Sequence, residues 1–288
     1  MTQLAGGVVA LSGAASGIGR ALALRFAQAG AHLALADIRA DELATAAEAA
    51  RAAGARVTTH QVDVSRREDV FRWADEAIAA HGAIRVLVNN AGVALHGGFD
   101  EQTLDDFEWL LGINFWGVLH GLKAFLPHLK AQPAAHVANT SSVFGLVAPA
   151  GQAAYATSKF AVRGLSEVLR HELEGTNVRV SVIHPGGIDT NIAARARYKD
   201  HVPAAARQMY ADKFKSVART SPERAADIIV RGIEANKKRI LVGPDAVGLD
   251  LLQRLLPTGY WGGIRAVWDP AKFDAEVARR TGQARREA

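Results

Sequence analysis

From Val8 to His184 the chain alternates short apolar runs with longer stretches of helical periodicity, and this alternation restricts the fold more than any other feature. The apolar runs are Val8–Ser12, His32–Ala36, Val57–Val62, Ile84–Asn89, Ala135–Ser141 and Val178–His184. Between them the periodicity predicts helices over Ile18–Ala29, Asp41–Ala53, Arg67–His81, Thr103–Lys130 and Ala153–Glu174. Neighbouring parallel strands cannot be joined by tight turns, so repeated strand–helix units imply parallel strands with crossover helices. Runs without polar alternation, such as Val86–Val88, imply strands buried on both faces. The pattern predicts an α/β fold: one doubly wound parallel sheet of the Rossmann type, flanked by helices. Residues 187–221 break the rhythm and read as a lid. A helix from Pro222 to Glu234 and a last strand at Arg239–Val242 follow. No Pro/Gly/Ser-rich linker divides the chain, so residues 1–245 read as one domain and 246–288 as a helical C-terminal extension.

Composition excludes several classes. With 49% hydrophobic and 22% charged residues the chain is ordinary globular protein. It contains no run of about eighteen apolar residues, so no transmembrane helix is expected. The N-terminus enters a strand pattern at once, which leaves no room for a secretory signal. Cys is absent, which rules out disulfides and thiolate chemistry and fits a cytoplasmic location. The net charge of +5 is modest, and its basic residues are dispersed, so nucleic acid is not an expected partner.

The loop after the first strand reads Ser12-Gly13-Ala14-Ala15-Ser16-Gly17-Ile18-Gly19. Glycines between a strand and a helix permit a tight turn and let a pyrophosphate approach backbone N–H groups at a helix N-terminus. The spacing is G-x3-G-x-G; the same glycines could serve a turn without a ligand, but their placement favours the nucleotide. Asp37 ends the second strand, where a carboxylate can accept hydrogen bonds from ribose hydroxyls or simply cap the next helix. Asp63-Val64 follows the third strand and Asn89-Asn90-Ala91-Gly92 the fourth, each at the strand end where open α/β sheets bind ligands.

Tyr155 and Lys159 form Y-x-x-x-K. Residues four apart share a helix face, and a nearby cation favours phenolate, which makes the tyrosine a better base. Ser142, at the end of the fifth strand, could hold a substrate oxygen, with Ser141 the competing candidate. Asn114, in Asn114-Phe115-Trp116-Gly117, is functional or a buried structural amide. His96 and His184 read as pocket wall or core. The ten His show no metal-binding spacing, so no metal site is expected.

Together S-G-A-A-S-G-I-G, N-N-A-G, N-x-x-G, N-T-S-S, Y-A-T-S-K and P-G-G-I-D-T resemble the short-chain dehydrogenase/reductase family in order and approximate spacing, over about residues 5–245. The one small departure is Ser12, where the family usually has Thr. The resemblance implies a nicotinamide-dependent oxidoreductase with Tyr155 as acid/base. Lys159 would tune Tyr155 and hold the nicotinamide ribose, Ser142 would orient the substrate, and Asn114 would support a proton relay through Lys159. It implies cofactor contacts from Gly13, Ser16, Gly17, Ile18, Gly19, Asp37, Asp63 and Val64. Asn89, Ala91 and Gly92 would line the adenosine side, and Pro185, Gly186, Ile188 and Thr190 the nicotinamide side. The implied cofactor is NAD, with NADP possible: Asp37 disfavours a 2′-phosphate, and Ser16 and Ile38 are neutral where NADP-preferring members usually carry a basic residue. Arg39 is the reservation.

The expected substrate is a hydrophobic secondary alcohol, ketone or aldehyde, walled by Ala94–His96, Val143–Phe144, Ala148–Gln152 and the lid. The lid carries Tyr198, Met209, Tyr210 and Phe214 among Arg195, Arg197, Lys199, Arg207, Lys213 and Lys215. These cations read mainly as solvated, with an acidic substrate group the alternative. The stretch Val247–Trp268, with Tyr260, Trp261 and Trp268, could cap the cleft, pack on a neighbouring subunit or lie on a membrane; packing in protein is the default. Residues after Arg279 are expected to fray. The family resemblance also implies a homodimer or homotetramer paired through the Thr103–Lys130 and Ala153–Glu174 helices. The rivals are an NADP-dependent carbonyl reductase, a non-catalytic nucleotide-binding redox sensor and a tail-anchored membrane-surface protein.

Overall fold

A computed structural model describes residues 1–199, 202–267 and 269–281. Seven parallel strands form one sheet: β1 (Val8–Ser12), β2 (His32–Asp37), β3 (Val57–Gln61), β4 (Val86–Asn89), β5 (Ala135–Thr140), β6 (Val178–Pro185) and β7 (Arg239–Val242), in spatial order β3-β2-β1-β4-β5-β6-β7. The chain turns outward in one direction after β1 and in the other after β4. The crevice at that reversal is where doubly wound sheets take ligands. The helices are α1 (Gly17–Gln28), α2 (Ala40–Ala52), α3 (Arg67–His81), α4 (Leu104–Leu111), α5 (Gly117–Lys130), α6 (Ala153–Glu172), α7 (Ala204–Val217), α8 (Pro222–Glu234), α9 (Pro244–Leu255), α10 (Tyr260–Val267) and α11 (Pro270–Thr281).

The sheet is buried on both faces, as its unalternating strands require. Along β1, Val9 and Leu11 join the core beneath α1, α2 and α8, where Leu22 and Phe26 meet Ile229 and Ile233. Val8 and Ala10 face the core beneath α3, α5 and α6. There Trp73 packs edge-on against Phe125 with ring centroids 4.7 Å apart. Burying side chains of that size contributes about 1.5–3 kcal/mol each, which makes the sheet a rigid platform for the loops at its C-terminal edge.

One expected element is divided. The helical region from Thr103 to Lys130 is α4, a π-helical turn at Gly112–Trp116, and α5. Glycine explains how the region packs so closely: a Cβ on Gly117 would sit 2.8 Å from Val64, and one on Gly121 would collide with the Asn89 amide. The C-terminal extension is helical as expected, but the boundary at 245/246 falls inside α9. Within the lid segment, residues 200 and 201 lie outside the described residues, as do Trp268 and residues 282–288; of the end expected to fray after Arg279, Arg280 and Thr281 belong to α11.

Candidate active site

The C-terminal edge of the sheet opens into a cleft of about 1900 Å³. One wall of it is the loop between β1 and α1. Gly13 has φ of 68°, and a Cβ there would lie 2.7 Å from the backbone of Ala91; a Cβ on Gly19 would strike the Gly13 carbonyl. The glycines therefore bring two loops into backbone contact. Ser12 joins them: its hydroxyl accepts from the N–H of Asn90 at 3.0 Å and of Ala91 at 3.2 Å. Asn90 in turn donates to the carbonyls of Ser12 and Gly13. No side chain caps the N-terminus of α1 at Ser16, and Ser16, Gly17, Ile18 and Gly19 line the cleft. An uncapped helix N-terminus over a glycine cradle fits a pyrophosphate.

Asp37 is buried at the end of β2. One carboxylate oxygen accepts from the N–H of Ala15 at 3.0 Å, the other from the backbone N–H of Arg39 at 3.1 Å. The Arg39 guanidinium is held on three sides, donating to Asp37 at 3.2 Å, Ser16 at 2.9 Å and Glu42 at 2.9 Å. Arg195, from the lid, also binds Glu42, at 3.1 Å. Asp63, which accepts from Ser65, and Val64 complete this end.

At the other end stand Tyr155 and Lys159, on one face of α6. Lys159 is 3% exposed and donates to the Thr140 carbonyl at 3.1 Å; its ammonium lies 5.6 Å from the Tyr155 ring centroid. Burial brings that ammonium down to about 8. Burial also raises the Tyr155 phenol above its usual value, opposed in part by a hydrogen bond with the Ser142 side chain. Loss of water is thus the dominant effect on the phenol, opposite in direction to the lowering expected from Lys159. Ser141 and Ser142 are no longer equivalent. Ser141 donates to the Lys159 carbonyl at 2.8 Å and is committed to holding α6 against β5. The Ser142 hydroxyl, beside Tyr155, accepts from the N–H of Phe144 at 3.1 Å.

Every expected cofactor residue lines this cleft except Asn89, and of the four expected catalytic residues only Asn114 lies behind it. Asn89 donates to the Asn139 side chain at 2.8 Å in the interior; the neighbouring Asn90 is the one that reaches the glycine loop. Asn114 is wholly buried in the π turn. It accepts from the N–H of Val93 at 2.8 Å and donates to the Val93 carbonyl and to Ser158. Both its amide hydrogens are used, while a Cβ on Gly92 would lie 3.2 Å from its oxygen and 3.3 Å from the Lys159 ammonium nitrogen.

At the Tyr155 end the 247–268 stretch caps the cleft, one of the readings its sequence offers. Besides Leu95, Val143, Phe144 and the lid, the C-terminal helices contribute Leu249, Leu252, Ile264 and Phe273. Tyr260 accepts from the N–H of Ala148 at 3.1 Å, and Tyr210 of α7 donates to Asp274 of α11 at 2.8 Å. His96 packs against Tyr210, ring centroids 4.0 Å apart, and burial lowers its imidazole. Several lid cations are tied to protein: Arg197 lies over Trp109 and pairs with Asp106, as does Lys199. Packing in protein, the default reading of the C-terminal stretch, holds in part: Leu252 and Ile264 line the cleft, while Val247, Leu251, Leu255 and Leu256 are exposed. No group of three or more candidate metal ligands occurs among the described residues.

The short chain dehydrogenase family model matches residues 7–201. The chain belongs to the short chain dehydrogenase family. As a member it is an oxidoreductase. The putative oxidoreductase SadH of Mycobacterium tuberculosis is 42% identical over 263 residues, 90% of this chain and 94% of that protein. The 1-deoxy-11-beta-hydroxypentalenate dehydrogenase of Streptomyces avermitilis is 42% identical over 184 residues, 62% of this chain and 68% of that one. A short chain dehydrogenase/reductase from Burkholderia phymatum, solved in complex with NAD, superposes with a TM-score of 0.83 at 33% identity, covering 89% of this chain and 96% of that one.

His136 and His184 are wholly buried, and burial pushes both down to about 4 from the usual 6.5. His184 donates from Nδ1 to the carbonyl of Ser142 at 2.9 Å. Because the folded values lie below the unfolded ones, the folded chain binds fewer protons between them. The stability contributed by keeping these rings neutral is complete above 6.5 and is lost as pH falls through about 4. At about 1.4 kcal/mol per pH unit, each ring contributes roughly 3 kcal/mol when the effect is complete. A thermal melt should therefore fall by several degrees between about pH 7 and about pH 5. An unchanged Tm would contradict the neutral burial of these rings.

Proposed function

We propose that this chain is an NAD-preferring dehydrogenase or reductase of hydrophobic secondary alcohols, ketones or aldehydes, with Tyr155 as the acid/base. The observation that carries the reading is that one cleft holds the uncapped N-terminus of α1, the Asp37 carboxylate and the Tyr155–Ser142–Lys159 group. The NAD-bound neighbour from Burkholderia phymatum supports the cofactor assignment.

A nicotinamide bound here supplies or takes the hydride. Gly13, Gly17 and Gly19 would pass its pyrophosphate along the helix N-terminus, Asp37 would accept from its adenosine ribose, and Ile188 and Thr190 would hold its carboxamide. The remaining chemistry falls to side chains. The Ser142 hydroxyl orients the substrate oxygen, and the Tyr155 oxygen takes its proton in oxidation or returns it in reduction. The positive charge of Lys159, joined by that of an oxidised nicotinamide, favours phenolate against the burial that opposes it. Asn114 braces Val93 and Ser158 behind Lys159, and its oxygen would accept from a water on a proton path.

The apolar walls around the Tyr155 end of the cleft, with Leu95, Val143, Phe144, Leu249, Leu252 and Ile264, favour a substrate with an apolar body. In a series of straight-chain 2-alkanols, monitored by nicotinamide absorbance, kcat/KM should rise about three- to fourfold per methylene until the cleft is filled, as about 0.8 kcal/mol per buried CH₂ requires. A flat series, or preference for short polar alcohols, would contradict it. We also propose a homo-oligomer paired through α5 and α6, because Trp116, Phe160 and Val168 are exposed on or beside them. Light scattering at micromolar concentration should show a dimer or tetramer; a monomer would refute this.

A further inference from the structure

The first turn of α9 carries a carboxylate that the proposed hydride chemistry does not use. Asp245 accepts from the backbone N–H of Gly187 at 2.6 Å, which ties the C-terminal extension to the loop leading to Ile188 and Thr190. Two glycines make room for it. A Cβ on Gly243 would lie 2.5 Å from Oδ1, and a Cβ on Gly186 would collide with the carboxylate. Gly243 has φ of 103° and needs glycine for its backbone alone, whereas Gly186 has no positive φ. The absence of a side chain at Gly186 is accounted for by the carboxylate occupying that space. On its other side the loop is pinned by the lid, since a Cβ on Gly187 would lie 3.1 Å from the backbone of Ala218.

Asp245 is exposed and makes no ion pair among the described residues, and it borders the cleft beside Gly186 and Gly187. The other acidic residues lining the cleft stand elsewhere: Asp37 and Asp63 after β2 and β3, Glu101 and Asp274 at the lid side. The cations lining the cleft are Arg39, Lys159, Arg195 and Lys213, and none of them pairs with Asp245. The loop held by Asp245 is the one assigned above to the nicotinamide. That ring is cationic when oxidised and neutral when reduced, so an unpaired carboxylate at this place interacts differently with the two forms.

We propose that Asp245 sets the preference of the site between the two oxidation states of its cofactor. Its negative charge favours the oxidised form, and its hydrogen bond to Gly187 holds the loop for both forms. The proposal rests on the assignment of this cleft to a nicotinamide cofactor. It separates charge from positioning: Asp245→Asn keeps an oxygen for the Gly187 N–H and loses the charge, whereas Asp245→Ala loses both.

The test is the dissociation constant of NAD⁺ and of NADH, measured by calorimetry or fluorescence on the full chain without substrate. In Asp245→Asn the NAD⁺ affinity should fall about fivefold, the effect of about 1 kcal/mol for a charge screened by water, while NADH stays within about twofold. Asp245→Ala should weaken both forms and show the same change in their ratio. A general loss of folding would weaken both forms together and leave the ratio alone. An unchanged ratio in both variants, with the wild-type chain binding both forms, overturns the role of Asp245 and leaves the cofactor assignment standing. Failure of the wild-type chain to bind either form overturns both.

Discussion

Tyr155→Phe should lower turnover at least a hundredfold while leaving cofactor affinity nearly unchanged. The substitution keeps the ring, which packs edge-on against Phe144 with centroids 6.2 Å apart, and removes only the oxygen that exchanges the proton. Positioned proton transfer contributes about 10²–10⁴-fold in rate, and in a cleft this apolar no other group is placed to replace the phenol. The Ser142 hydroxyl adjoins it but is a far weaker acid and base near neutral pH. Lys159 points away to the Thr140 carbonyl. Steady-state kinetics with a cofactor-binding titration on the same preparation would check both halves. Near-normal turnover would remove Tyr155 from the role of acid/base, and loss of cofactor binding would assign the defect to the fold.

The second large effect concerns the adenosine ribose. NAD should exceed NADP about a hundredfold in kcat/KM, and Asp37→Ala should erase most of that ratio. A 2′-phosphate beside Asp37 places two negative charges about 4 Å apart, a repulsion of roughly 4 kcal/mol at an effective dielectric of 20. Solvent reduces this, and about 2.7 kcal/mol already gives a hundredfold. Arg39 is the cation that could offset the repulsion, and the structure shows what engages it: Asp37, Ser16 and Glu42 together. Turning it to a phosphate would give up part of that set. A higher kcat/KM with NADP would refute the assignment. An NAD preference that survives Asp37→Ala undiminished would show that another group causes it.

The parts of the molecule that could be read in advance are those whose local and tertiary demands agree. α3 and α8 begin and end where the sequence placed them, because an apolar stripe, Gly82 after the first and Ser221-Pro222 before the second mark the same limits. The glycine loop and Y-x-x-x-K were readable because backbone approach and helix spacing dictate residue types directly. The misplaced features depend on what a side chain meets across the fold. Asn89 belongs to a buried strand and turns to the α5 face, so the cleft contact passes to Asn90. The π turn around Asn114 interrupts an apolar pattern that a continuous helix would also satisfy. Lys159 stands beside Tyr155 as expected, but the net effect on the phenol depends on how much water both have lost, which spacing does not encode. Asp245 had no signal of its own; only the collision at Gly186, more than fifty residues earlier in the sequence, gives it meaning.

The central claim is that this cleft transfers hydride between a hydrophobic alcohol and a nicotinamide. Its most direct test follows one atom. A secondary alcohol of medium chain length, deuterated at the carbinol carbon, is incubated with NAD and the chain, and the cofactor is recovered for mass spectrometry. The account predicts reduced cofactor carrying one deuterium with the wild-type chain, and a rate at least a hundredfold lower with Tyr155→Phe, in keeping with the contribution of about 10²–10⁴-fold from positioned proton transfer. A wild-type chain that binds NAD but transfers no deuterium from any member of an alcohol series, and none in reverse from labelled cofactor to the matching ketones, would contradict it and leave a nucleotide-binding sensor in its place.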